Sequence, residues 1–235
     1  MMSCGGYFAI FTFVAGCASL VVDRSELGLM TVPTDLPVDT TELILSSNSI
    51  SNLPDNCLAH IPQLTLLIAS INNMKTIGTH AFNGTGLERI YLNENDLRRF
   101  PNLLDVKSTL TKLRLNVNPI RVIKPHDLQG MDRLAELYLG NTEIYSLPDM
   151  ATLLPSLKTL VIFNMYFECC SKMQTLKDPI FDQTCSLETK NAPCSYPDAL
   201  IDIAWLNISQ NEMNIPCLGT YAVGKKKSTE PELGD

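Results

Sequence analysis

The sequence predicts an α/β solenoid: a right-handed horseshoe with a parallel β-sheet on its concave face, a mostly irregular convex side and a disulfide-bonded carboxy-terminal cap. Three observations predict it. Six stretches, "TTELILSSNSI" (40–50), "LTLLIASINNM" (64–74), "LERIYLNENDL" (87–97), "LTKLRLNVNPI" (110–120), "LAELYLGNTEI" (134–144) and "LKTLVIFNMYF" (157–167), align without gaps, and their starts lie 24, 23, 23, 24 and 23 residues apart. Inside each stretch the apolar fourth and sixth positions alternate with variable residues, the period of a half-buried strand. After the last stretch come Cys169, Cys170, Cys185, Cys194 and Cys217, five of the chain's eight cysteines.

From the amino terminus, residues 1–18 read as a signal peptide. "YFAIFTFVAG" (7–16) is an uncharged apolar run, too short to span a bilayer. The small residues Gly16 to Ser19 suit cleavage near Ala18. Residues 1–6 carry no Lys or Arg, and "VAGC" (14–17) also matches a bacterial lipoprotein acylation box, so export by either route is the expectation. No second long apolar stretch provides a transmembrane segment, and "GKKKSTEPELGD" lacks the apolar tail of a lipid-anchor signal. Residues 19–39, which contain no cysteine, form the amino-terminal cap that a solenoid needs to keep its first repeat from exposing core.

Residues 40–167 hold six repeats of 23–24 residues whose pattern, L-x-x-L-x-L-x-x-N-x-L, is that of leucine-rich repeats. One short strand cannot bury its own inner face. Six stacked in parallel share one apolar interior. The inward strand pairs are Leu43/Leu45, Leu67/Ala69, Ile90/Leu92, Leu113/Leu115, Leu137/Leu139 and Leu160/Ile162. The segments after the strands close the other side with Leu53 and Leu58, Ile77 and Phe82, Phe100 and Leu104, Ile123 and Leu128, and Leu147 and Leu153. Asn48, Asn72, Asn95 and Asn118 recur where each strand ends. The bending backbone leaves amide groups there that an inward side-chain amide, donor and acceptor together, can satisfy. The expectation is a stacked structural ladder that stops where Thr142 and Met165 replace asparagine.

Residues 168–218 are the Cys-rich carboxy-terminal cap, and 219–235 a disordered tail. "LGLMTVPTDLPVDTTELIL" (27–45) resembles the amino-terminal cap of extracellular leucine-rich-repeat proteins, and the adjacent Cys169-Cys170 resembles the carboxy-terminal cap of that family, including the pair found after the repeats of glycoprotein-hormone receptors. Arg24 stands where the resemblance expects a cysteine, so the first cap is expected to be held by strand pairing alone. For the second, two bridges are expected, one from each of Cys169 and Cys170 to a later cysteine, with one thiol left over and the connectivity open. Zinc is the sharper rival, but the spacing lacks paired C-x-x-C knuckles and no histidine lies nearby. Cys57, inside the first repeat, reads as a buried thiol.

Composition bounds the function. A formal charge of −7 and a pI near 5.0 argue against nucleic acid or an anionic membrane as main partner. Lys225 to Lys227, the only basic run, reads as a solvated tail. No phosphate loop, nucleophile elbow or H-E-x-x-H motif appears, His80 and His126 fall two repeats apart on one flank, and no enzyme or cofactor is expected. Asn83 and Asn207 head N-x-[ST] glycosylation sequons. The outward strand positions form columns across the concave face: Ile44, Ile68, Tyr91, Arg114, Tyr138 and Val161, flanked by Leu66, Arg89, Lys112 and Glu136 on one side and Asn93, Asn116 and Phe163 on the other. Tyrosine and arginine are enriched where interface energy concentrates, although β-prone residues favour strands in any case. The resemblance implies a secreted protein that recognises a protein or glycan ligand through this face, in innate immune recognition or cell-surface signalling. A structural matrix protein and the ectodomain of a membrane receptor are its alternatives.

Overall fold

The computed structural model describes residues 9–12, 19–177, 185–188 and 193–217. Most of the expected leader, all of the expected tail and part of the second cap lie outside the described residues. The strands, in chain order, are β1 (Ala9–Thr12), β2 (Ser19–Asp23), β3 (Thr40–Ile44), β4 (Asn52–Leu53), β5 (Leu66–Ile68), β6 (Thr76–Ile77), β7 (Arg89–Tyr91), β8 (Lys112–Arg114), β9 (Glu136–Tyr138), β10 (Thr159–Val161), β11 (Phe167–Glu168), β12 (Ser186–Glu188) and β13 (Cys194–Tyr196). Two short helices, α1 (Pro125–Leu128) and α2 (Met150–Leu153), lie on the far side of the repeats.

Nine strands form one sheet in the order β1-β2-β3-β5-β7-β8-β9-β10-β12. β1 runs antiparallel to β2, and every later pair is parallel. The register never slips from β3 to β10: Leu43, Leu67, Ile90, Leu113, Leu137 and Leu160 are successive partners, and all are fully buried. The next inward row, Leu45, Ala69, Leu92, Leu115, Leu139 and Ile162, is equally buried. A one-residue slip would turn every one of these side chains to the open face, which is why the register is so strongly specified.

The closing side departs from expectation at one repeat. Leu53, Leu58, Phe82, Phe100, Ile123, Leu128 and Leu147 are buried, and Ile77 and Leu153 pack partly buried against the same core. Leu104, however, is 56% exposed. A 3-10 turn over Leu104–Val106 rotates it outward, and Leu103 and Val106 take its place in the core. Cys57 is half-buried rather than fully enclosed, its thiol directed to the Ala81 carbonyl at 3.8 Å.

Where each strand ends, the asparagine amides join neighbouring repeats. Asn95 Nδ2 donates to the Leu92 carbonyl of its own repeat (3.1 Å) and to the Ala69 carbonyl of the preceding one (3.0 Å), while its Oδ1 accepts from Met74 N (2.9 Å). Asn72 repeats the scheme with Ala69, Leu45 and Ile50, and Asn118 with Leu115, Leu92 and Leu97. Asn48 reaches into the first cap, donating to Arg24 O and Leu45 O and accepting from Leu27 N and Leu29 N. At the fifth repeat Thr142 is 7% exposed, and its hydroxyl has no partner. Met165 in the sixth is fully buried. The residue before each of these positions, Ser47, Ile71, Glu94, Val117, Asn141 and Asn164, has φ between 52° and 58°. That left-handed turn aims the following side chain inward. It is sterically poor for the β-branched Ile71 and Val117, a cost of about 1–3 kcal/mol each that the bonds it makes possible must offset.

The second cap continues the sheet through β12 and adds the pair β11 and β13. Disulfides join Cys169 to Cys194 and Cys170 to Cys217 around a cluster of Met173, Leu176, Leu200, Trp205, Ile208 and Met213. Glu168 lies near Cys170 and Cys217, but both sulfurs are spent in the bridge and offer no thiolate to a metal. Cys185 is a buried free thiol.

Two stability changes of opposite sign follow from the ladder. Asn95→Ala strands Met74 N and two carbonyls and is expected to cost about 3 kcal/mol in urea unfolding, whereas Thr142→Asn extends the ladder by one rung and is expected to add about 1 kcal/mol. Burial raises the Cys57 and Cys185 thiols to about 11, so native protein at pH 8 should resist alkylation at both. Peptide mapping without reductant should return Cys169–Cys194 and Cys170–Cys217 cross-links; fast labelling of Cys185 would contradict this arrangement.

Candidate functional site: the outward face of the sheet

Because the inward row is fixed, the outward row is fixed with it. Ile44, Ile68, Tyr91, Arg114, Tyr138 and Val161 are successive register partners on β3, β5, β7, β8, β9 and β10, so their side chains stand one strand spacing apart, about 4.8 Å. Ile44, Ile68, Tyr91, Arg114 and Tyr138 are half-buried, each open to solvent on one side. Val161 is not: it is 2% exposed, and its strand is flanked by the cap strand β12.

At the centre of the row a guanidinium sits between two aromatic rings. The Arg114 guanidinium lies 4.7 Å from the Tyr91 ring centroid and 4.7 Å from that of Tyr138. Two aromatic faces on one cation are a favourable arrangement, and they hold a long side chain in one orientation. Tyr138 is fixed in turn by its hydroxyl, which donates to Glu136 Oε2 at 2.9 Å.

The neighbouring row carries Glu42, Leu66, Arg89, Lys112 and Glu136. Here the charges are paired. Arg89 reaches past β5 to Glu42 at 3.2 Å, and Lys112 meets Glu136 at 2.5 Å. Leu66, expected as an open contact residue, is 5% exposed: it sits on the strand between Arg89 and Glu42 and takes no part in the open surface. Burial works against the Lys112 ammonium, but the hydrogen bond with Glu136 and the neighbouring tyrosines outweigh it and hold its pKa above the ordinary lysine value. The same hydrogen bond, against a smaller burial penalty, holds Glu136 below the usual carboxylate range, with help from the Tyr138 hydroxyl. Both groups are therefore charged at neutral pH.

Of the third column, Asn93 accepts from the Ser70 hydroxyl at 2.7 Å. The Phe163 ring is packed on Gly140, where a Cβ would lie 2.7 Å from it, so a larger residue there would push the ring from its place. Beyond the column, an open cleft of about 530 Å³ runs past Val117, Pro119, Asn141, Thr142, Asn164 and Tyr166, where the ladder ends. Nothing in the periodic pattern announces it. Tyr166, 64% exposed, falls at a variable position, and the pattern does not say on which side of the bend its ring lies.

On the opposite side, His80 pairs with Asp105 at 3.1 Å and His126 lies 3.5 Å from Asp127. Both histidines are thus occupied locally and lie away from the strand row. Asn83 and Asn207 are exposed, Asn83 on the loop after Phe82 and Asn207 in the second cap. No helix among the described residues is long and apolar enough to cross a membrane.

No protein-family model matches the sequence. Individual proteins do. The chain is 33% identical over 141 residues to biglycan of Sus scrofa, covering 59% of this chain and 51% of biglycan. It is 40% identical over 105 residues to leucine-rich repeat-containing protein 3 of Bos taurus, covering 43% of this chain and 40% of that protein. Against the platelet glycoprotein Ib alpha chain of Mus musculus it is 32% identical over 124 residues, 52% of this chain and 16% of the relative. The match thus spans about half or less of each relative. Among solved structures, a chain of the octameric complex of Latrophilin 3, Unc5D and FLRT2 superposes with a TM-score of 0.69 at 23% identity, covering 80% of this chain and 58% of that one. Human trophoblast glycoprotein superposes with a TM-score of 0.56 at 18% identity, covering 83% of this chain and 94% of that one. At these identities the superpositions speak for the fold. Read with the strand stack and the cysteine-bonded end, these matches show a leucine-rich-repeat chain that closes with a disulfide-bonded carboxy-terminal cap, similar over its repeats to biglycan and to leucine-rich repeat-containing protein 3.

Proposed function

We propose that this is a secreted protein that recognises another macromolecule, a protein in the first instance, through the outward face of its sheet. One observation carries the reading: Ile44, Ile68, Tyr91, Arg114 and Tyr138 stand side by side in register, half-open to solvent, with the central arginine held between two rings. Rigid aromatic and arginine anchors in a row, rimmed by paired charges, have the anatomy of an interface centre. A free surface ordinarily carries no such preorganised arrangement.

Export is supported by three features of different kind. The apolar run at 7–16 has the length of a leader, and cleavage near Ala18 would leave β2 as the first strand. Two disulfides belong to an oxidising compartment. Both sequon asparagines are exposed, and a glycan on Asn83 would leave the strand row uncovered.

The test is binding of the exported, oxidised chain to a panel of extracellular proteins and glycans, beside a Tyr91→Ala/Arg114→Ala/Tyr138→Ala variant whose melting temperature is checked first. A partner of the parent chain should lose at least about 100-fold in affinity for the variant. Partners retained at parental affinity by a folded variant would place recognition elsewhere.

A further inference from the structure

We infer that the outward face receives a carboxylate, from an acidic side chain of a partner protein, on the terminal nitrogens of Arg114. The inference rests on the reading of that face as the binding surface, and it names the chemistry of what arrives there.

The argument begins with a census of charge. Strands β3 to β10 carry five charged side chains, Glu42, Arg89, Lys112, Arg114 and Glu136. Four of them are consumed in two ion pairs, Arg89 with Glu42 and Lys112 with Glu136. Arg114 is left over. Among the described residues it makes no ion pair and no side-chain hydrogen bond, and its Nε is fully buried without a partner. A guanidinium has five donors in a rigid fork, and a buried donor left unsatisfied in a native structure calls for an explanation.

A ligand on the two Nη atoms would leave Nε as it is, but the surroundings of the group fix where a ligand can reach the remaining donors. Tyr91 and Tyr138, on the strands either side, each place a ring centroid 4.7 Å from the Arg114 Cζ, so the rings crowd the guanidinium on both sides and a ligand has to reach it between them. With Nε enclosed, the donors it meets there are the Nη pair. That pair can hold a planar carboxylate by two parallel hydrogen bonds. Contact with both rings prepays the ordering of a flexible side chain, which is how a preorganised site gains affinity. The row then runs outward into Ile68 and Ile44, so a partner segment with an acidic residue beside apolar ones fits both parts of the surface.

A sulfated glycan would bring the same sign of charge but asks for more. A polyanion binds through several cations that together release its condensed counterions, and the described strands of this face leave a single cation without an ion pair, on a chain whose formal net charge is −7. One carboxylate matches one guanidinium.

The experiment follows the Arg114 Nε–Hε resonance of the full, oxidised chain, assigned by its loss in Arg114→Gln. Two capped peptides of equal length serve as probes, one with glutamate beside leucine and one with glutamine in place of the glutamate, and a heparin-derived disaccharide is the third arm. A saturable shift with the glutamate peptide, absent with the glutamine peptide and weakened about tenfold by Tyr91→Leu/Tyr138→Leu, is expected. Equal responses to the two peptides, no response to either, or a stronger response to the disaccharide would overturn the inference. With a protein partner in hand, Arg114→Gln and Arg114→Lys should each lose about 30-fold, since a lysine is a point charge without the fork. If Arg114→Gln binds like the parent while the triple variant does not, the carboxylate inference falls and the face remains the binding surface. If the triple variant also binds like the parent, the reading of the face itself falls.

Discussion

Every feature of this molecule depends on one constraint: a strand of three residues cannot bury its own inner face, and a chain that leaves such a strand must turn at once without abandoning its backbone hydrogen bonds. The asparagine ladder meets the second half of that constraint. The amides of Asn72, Asn95 and Asn118 each tie a carbonyl of their own repeat to a carbonyl and an N–H of the one before, so the bend that ends one strand is also the joint to its neighbour. Because the joint is a side chain and not an extension of the sheet, strands stay short and the stack can curve. The left-handed residue before each asparagine is part of the same device, and the chain accepts it even at Ile71 and Val117, where branching at Cβ makes it costly.

The arrangement of the outward face is a by-product of that regularity. A uniform register from β3 to β10 buries one row of leucines and, for the same geometric reason, lines up the alternate residues on the open side. Sequence variation at those positions therefore writes a pattern in two dimensions, along the strand and across it. In this chain the pattern is a neutralised row, in which Arg89 and Lys112 are answered by Glu42 and Glu136, beside a row whose central cation sits between two rings and meets the strands' carboxylates only through the field of Glu136, with no ion pair or hydrogen bond among the described residues. Overall acidity and a locally open arginine are compatible because the paired rim keeps the field of the face small.

Much of this was legible in the residues. The repeats and the inward rows follow from spacing alone, since period and period-2 alternation are local properties of the chain. The ladder was legible because a polar side chain at one fixed offset in an apolar frame has few other uses. What escaped needed information that no local pattern holds. Leu104 and Val106 are both apolar within one short segment, and only the 3-10 turn decides which faces the core. Leu66 is at an outward position and yet closed, because Arg89 prefers a carboxylate two strands away to solvent. The sandwich around Arg114 required three side-chain conformations on three strands. The cysteine pairs required the path of a cap that has no repeat, and the cleft past Tyr166 lies where periodicity stops.

The central claim is that side-chain amides carry the joints between repeats. Native-state hydrogen exchange of the backbone N–H groups of Ile50, Met74 and Leu97, the three that donate to ladder oxygens, tests it most directly. All three sit at bends outside the strands, so without the ladder they would exchange like loop amides. The account predicts protection close to that of the strand amides of Ile90 and Leu113, opening only with global unfolding; exchange at loop rates in a protein whose strands remain protected would contradict it.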